Sequence, residues 1–135
     1  MSEQNKAVVR RYVEGVNEME LAVFDEILAP DFVNHTPRLG IMNRERTVND
    51  YALLFEAMPD RHGTIEDIIA EGDKVFLRTA LQATHKGPVP GIPVEPTGKL
   101  VTSYLWEIFR VEDGRIVERW SIHNTKERFE EAARE

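Results

Sequence analysis

The chain has 135 residues, 41% hydrophobic and 30% charged, with 24 Asp and Glu against 17 Lys and Arg for a formal net charge of −7. That length suits one domain, residues 1–135, around one core, and the acidic balance excludes nucleic-acid binding, which needs a basic stripe. The absence of cysteine excludes disulfides, thiolate metal sites and a Cys nucleophile.

Val9, Tyr12, Val13 and Val16 recur at i, i+3, i+4, i+7 and predict an amphipathic first helix, with Ser2 as a candidate N-cap. Phe24, Ile27 and Leu28 mark a shorter second helix, and Pro30 lies just beyond it. The run Phe32 to Pro37 is too short for a helix and ends at a proline. A third helix is predicted from about Arg44 to Ala57, with Val48, Tyr51, Ala52 and Phe55 on one face and Met58-Pro59-Asp60 closing it.

The period then changes. Thr64 to Glu71 is rich in β-branched residues and ends in the turn signal Gly72-Asp73, and Lys74 to His85 is rich in Val, Phe, Leu and Thr. Four prolines and three glycines between Lys86 and Lys99 leave room only for a loop. Leu100 to Val111 and Arg115 to Ile122 form a hairpin through Glu112-Asp113-Gly114, read as a three-residue loop with Gly114 in the left-handed position. A short final helix follows, with Asn124 as its cap and Glu127 at the reciprocal box position. Three helices, about four strands and a last helix make an α+β fold: a curved, mostly antiparallel sheet covered by the N-terminal helices. Helices that do not fill the concave face leave a pocket for a small ligand.

No stretch approaches the ~18 apolar residues of a membrane span, and Met1 to Asn5 lacks the basic and apolar regions of a signal peptide. A cytoplasmic protein without membrane contact is the expectation. His35, His62, His85 and His123 show no close ligand spacing such as i, i+4, so no metal is expected. Dinucleotide, P-loop and nucleophile-elbow motifs are absent from the sequence.

The runs Met58-Pro59-Asp60-Arg61-His62 and Ile65 to Val75, with Thr84-His85, Gly91-Ile92-Pro93, Pro96-Thr97-Gly98-Lys99, Phe109-Arg110-Val111 and Asp113 to Glu118 ending in Trp120, resemble the SnoaL-like polyketide cyclase family. That family belongs to the nuclear transport factor two-like superfamily of cone-shaped α+β domains. The resemblance covers roughly Val8 to Asn124, and Asp31 to His35 is similar to the family's early His motif. It implies a pocket enclosed by the curved sheet, a homodimer through the outer sheet face, and cofactor-free aldol-type ring closure through an enolate. In the cyclase members an Asp directly after the final-strand Trp is the general acid/base, assisted by a His two residues before the Phe-Arg pair. Here those positions hold Ser121 and Glu107, and a second Asp position holds Asn124. A serine hydroxyl cannot replace a carboxylate as base near neutral pH.

Two readings stay open for each candidate. His123 shares a strand face with Ser121 and could act as base beside Glu107, or it could face solvent. Glu107 could itself be the base, or pair with Arg119 or Arg78. His35 could donate to a substrate oxygen, or hold a loop. Arg78 could bind an enolate or carboxylate oxygen, or pair with Glu118. Trp120, Tyr12, Phe55 and Met58 could line an aromatic ligand site, or simply fill the core. If the 112–114 loop has three residues, Glu107, Ser121 and His123 share one face; a two-residue loop would pair Glu107 with Trp120 instead. The enzyme reading is proton abstraction next to a carbonyl in a small, apolar, oxygenated molecule, with His123 or Glu107 as base and His35 or Arg78 on the oxyanion. The alternative is a non-catalytic binding domain. An epoxide-hydrolase-like reading needs two cavity Asp residues and ranks last.

Overall fold

A computed structural model describes residues 2–135. The elements are α1 (Ser2–Asn17), α2 (Val23–Ile27), β1 (Leu28–Thr36), β2 (Gly40–Asn43), α3 (Arg44–Ala57), β3 (His62–Glu71), β4 (Lys74–Thr84), β5 (Leu100–Glu112), β6 (Arg115–His123) and α4 (Thr125–Arg134). Six strands form one curved sheet in the order β2-β1-β6-β5-β4-β3. The β1–β6 pairing is parallel and every other pairing is antiparallel. The sheet is therefore mixed, with the helices packed on it as the α+β expectation required.

The apolar stripe of α1 behaves as its spacing predicts: Val9, Tyr12 and Val16 are buried. Gly15 lies on the same face, where a Cβ would stand 2.4 Å from Val23 Cγ1. The absence of a side chain there lets α2 close onto α1. Phe24, Phe32, Phe109, Val75, Leu77 and Ile116 are almost wholly buried and form the centre of the core.

Four local expectations are corrected. Leu28 does not belong to the second helix, and the run after it, outside the four strands expected, is itself a strand: Leu28–Thr36 is held by β6 on one side and β2 on the other. The buried face of α3 is rotated from the predicted one and carries Thr47, Asp50, Tyr51, Leu54 and Ala57. Asn124 does not cap α4; its Oδ1 accepts a hydrogen bond of 2.8 Å from the Tyr104 backbone N–H, which ties the β6–α4 junction to β5.

The fourth correction concerns the β5–β6 hairpin. Glu112 pairs with Arg115 across a two-residue turn, and both Asp113 (φ 50°) and Gly114 (φ 76°) lie in the left-handed region. That is the requirement of a type I′ turn. A two-residue turn alone would put Glu107 opposite Trp120. Instead Val111 pairs with Ile116 and Arg110 with Glu118, so Val117 is an unpaired bulge. The extra residue restores Glu107 opposite Ser121. Before the bulge Ile116 points inward; after it Arg119 and Ser121 do. The shared face of Glu107, Ser121 and His123 is thus reached by a different turn and a bulge.

Candidate functional site

The inner faces of β1, β4, β5 and β6, the rotated face of α3 and the Pro-rich loop enclose a half-open cavity of about 60 Å³. A smaller lobe of about 20 Å³ lies toward α1, between Tyr12, Val16, Thr79 and Glu107. Tyr51, Arg61 and Leu105 line both. Val89 and Ile92 of the loop and Leu54, Met58, Leu81 and Leu105 give the larger lobe an apolar lining. The loop is held at its base by backbone bonds: Lys86 and Gly87 N–H donate to Ala57 O, and Gly98 N–H donates to His85 O.

Two buried ion pairs organise the polar wall. Arg119 Nε and Nη2 each lie 2.7 Å from Glu107 Oε2, and its Nη1 donates to Asn34 Oδ1 at 2.9 Å. Asn34 Nδ2 in turn donates to Thr47 Oγ1 at 3.3 Å, which reaches α3. Burial opposes the Arg119 charge, but Tyr12, Glu107 and Tyr51 around it outweigh that penalty and hold its pKa above the usual value. Arg38 Nη2 meets Asp50 Oδ2 at 2.6 Å. The Tyr12 and Tyr51 hydroxyls are hydrogen-bonded to each other. Burial, foremost, pushes the Tyr12 hydroxyl well up, so it stays protonated.

His123 ends β6 on this wall, and its buried Nδ1 has no hydrogen-bond partner among the described residues. Burial, then the positive charges of Arg38 and Arg119, lower its pKa to about 4. The imidazole is therefore neutral at pH 7 and has a free ring nitrogen. His85, at the loop base, is fully buried against Phe129, with ring centroids 4.2 Å apart and neither ring nitrogen in a well-formed hydrogen bond among the described residues. Burial lowers its pKa too. Both histidines bind protons less readily folded than unfolded. Their contribution to stability is complete above their unfolded pKa near 6.5 and is lost as pH falls through their lowered folded values, about 4 for His123. Thermal midpoints measured from pH 7 down to 4 should fall, and His123→Gln should flatten part of that slope. An unchanged slope in the variant would contradict the assignment.

The candidates named from sequence separate into three groups. Glu107, Ser121, His123, Tyr12 and Met58 line the lobes. Phe55 packs against the core beside Tyr51. Arg78, His35 and Trp120 lie on the outer sheet face, away from the cavity. Arg78 alternates outward between the buried Leu77 and Thr79 and pairs with Asp67 and Glu66, not Glu118. His35 points away because its neighbours Asn34 and Thr36 point in. Its ring stacks on Trp120 (5.3 Å, 2°), and its Nε2 donates to Glu118 at 2.7 Å. Neither can meet an oxyanion inside the cone.

Asn34, Thr36, Arg38, Asp50 and Arg61 line the larger lobe without having been singled out as site residues. For two of them a signal existed. Phe32, Asn34 and Thr36 alternate, and that alternation would have placed the two polar side chains on the face of a buried aromatic. Among the described residues no three His, Asp or Glu side chains converge as a metal site would require, and no helix is long and apolar enough to cross a membrane.

A curved sheet roofed by helices over a polar-walled cavity is the architecture of the nuclear transport factor two-like cone. The SnoaL-like polyketide cyclase profile matches residues 6–129, and the chain belongs to that family. It is similar to IdmH of Streptomyces antibioticus, a proposed polyketide cyclase, at 28% identity and a TM-score of 0.83, covering 96% of this chain and 98% of that one. It is also similar to AclR of Streptomyces galilaeus, a proposed hydroxylase, at 31% identity and a TM-score of 0.80, covering 92% and 77%. An epoxide hydrolase of M. tuberculosis shares the fold at 16% identity and a TM-score of 0.76, covering 98% of this chain and 92% of that one. Comparison with curated proteins gives no match.

Proposed function

We propose that this chain moves a proton at a carbon next to a carbonyl in a small, largely apolar, oxygenated molecule of the polyketide or keto-ester kind. The reaction class is cyclase or isomerase chemistry without a cofactor. The observation that carries this reading is His123: a neutral imidazole lining a half-open cavity, its Nδ1 buried and without a partner among the described residues. The ring is neutral at pH 7 and so able to accept a proton, and its low proton affinity restricts it to a C–H strongly acidified by flanking carbonyls. The Ser121 hydroxyl and the Arg119 guanidinium share its wall and supply donors for the developing enolate oxygen. Glu107 faces the smaller lobe with its Oε2 committed to Arg119, which leaves His123 as the better base.

The test is solvent-deuterium exchange into ethyl acetoacetate, followed by NMR with wild type, His123→Ala and Glu107→Gln. Exchange should be accelerated by wild type and lost with His123→Ala. Undiminished exchange in both variants would eliminate the mechanism. The pairing of Glu107 with Arg119, and a Ser where relatives carry the Asp, favour a second reading: a binding domain that returns its ligand unchanged. A converted product in a mass spectrum would exclude it.

We also propose a homodimer through the outer sheet face. Trp106 is 49% exposed there and Ile122 64%, beside Ile108, Phe76 and the stacked Trp120, an apolar surface larger than scattered residues would leave. A monomer-sized particle in light scattering would contradict it.

A further inference from the structure

The cations of the cavity are neutralised in place, with one exception. Arg38 faces Asp50 and Arg119 faces Glu107. Arg61 is only 9% exposed, yet among the described residues its guanidinium has neither an ion-pair partner nor a hydrogen-bond acceptor. It follows the turn after α3, where its backbone N–H donates to Met58 O, and its side chain stands at the junction of the two lobes with Tyr51 and Leu105. The joint lining therefore holds three guanidinium groups and two carboxylates, in a chain whose net charge is −7. The Arg61 nitrogens are not among the fully buried unpartnered atoms, so water in the cavity hydrates the charge in the free protein, and a bound anion would take that water's place.

We propose that Arg61 anchors a carboxylate on the ligand, so that the molecule held in this cavity is a keto acid or comparable organic monoanion with an apolar body. This rests on the cavity being the substrate site and names the class of substrate. The guanidinium fork matches a carboxylate in two parallel hydrogen bonds. One unpaired cation balances one negative charge, which suits a carboxylate better than a phosphate dianion. The apolar body has its place among Leu54, Met58, Leu81, Val89 and Ile92. His123 lines the same lobe, which leaves its wall for the reacting carbon.

The experiment compares benzoate with benzamide, equal in shape and different in charge, by calorimetric titration of wild type, Arg61→Gln and Arg61→Lys. Wild type should prefer benzoate by about tenfold or more, the range of a hydrogen-bonded charge. Arg61→Gln should bind benzoate no better than benzamide, and Arg61→Lys should keep part of the preference. Thermal melting of the unliganded proteins separates this role from a structural one: with no partner to orphan, Arg61→Gln should melt at or above the wild-type midpoint. Equal binding of the two probes by wild type, no binding of either at millimolar concentration, or a benzoate preference surviving in Arg61→Gln overturns the proposal. So does a lowered melting midpoint in Arg61→Gln, which would make Arg61 part of the scaffold. Exchange into ethyl acetoacetate without a benzoate preference removes this inference and leaves the proton transfer standing. A benzoate preference without exchange does the reverse.

Discussion

Replacing Arg119 by methionine should lower the free energy of unfolding by about 3–5 kcal/mol, the usual consequence of removing one partner from a buried ion pair. Glu107 is 3% exposed and Arg119 5%, so neither can turn to water when the other is lost. Methionine fills much of the arginine's volume. The loss therefore reports the stranded carboxylate and the released Asn34, rather than a void. Domains of this size have about 5–15 kcal/mol in all, so the variant would stand near the edge of folding. Urea denaturation of wild type, both single variants and Glu107→Gln/Arg119→Met measures the coupling directly. The double variant should recover much of the loss, because a neutral amide replaces the stranded charge. A single-variant loss below about 1 kcal/mol, the range of exposed pairs, would mean that the pair is hydrated.

The second large effect is expected at His123. If its imidazole takes the substrate proton, His123→Ala should slow exchange by about 10²–10⁴-fold, the span of general acid–base catalysis. The pH profile adds a sharper check. The active form is the neutral ring, and burial with the charges of Arg38 and Arg119 brings its pKa to about 4. Activity should thus persist as pH falls through 6 and 5, with its acid limb near 4. A limb near 6.5 would mean a histidine in open water, and hence a cavity wall different from the one described.

How far the sequence went can be read from particular elements. The α1 stripe was legible because helix burial follows a fixed period, and Val9, Tyr12 and Val16 obey it. The buried face of α3 was not, because Thr47 and Asp50 point inward toward polar partners and a hydrophobicity count discards them. β1 was hidden by Pro30 and by its setting: its main partner, β6, lies more than eighty residues away, as the bond from Arg119 to Asn34 shows. Spacing along the chain carries no information about such pairs. His35 was placed by family motif and Arg78 as a mid-strand cation, and strand parity sends both to the outer face. The candidates brought to the cavity by the last hairpin share its wall because of Val117, whose bulge leaves no compositional mark.

That unpaired valine makes the hairpin a two-position selector. With it outside the ladder, a hydroxyl and an imidazole look into the hollow while Trp120 and Ile122 look out; pair it regularly with Arg110 instead and the indole and the alkyl chain trade places with them. The interior would become greasy and the exterior hydrophilic, with no substitution anywhere in the protein. In a fold of this design, whether one valine near the hairpin tip is taken into the ladder or left out of it decides between a polar chamber and an oily one.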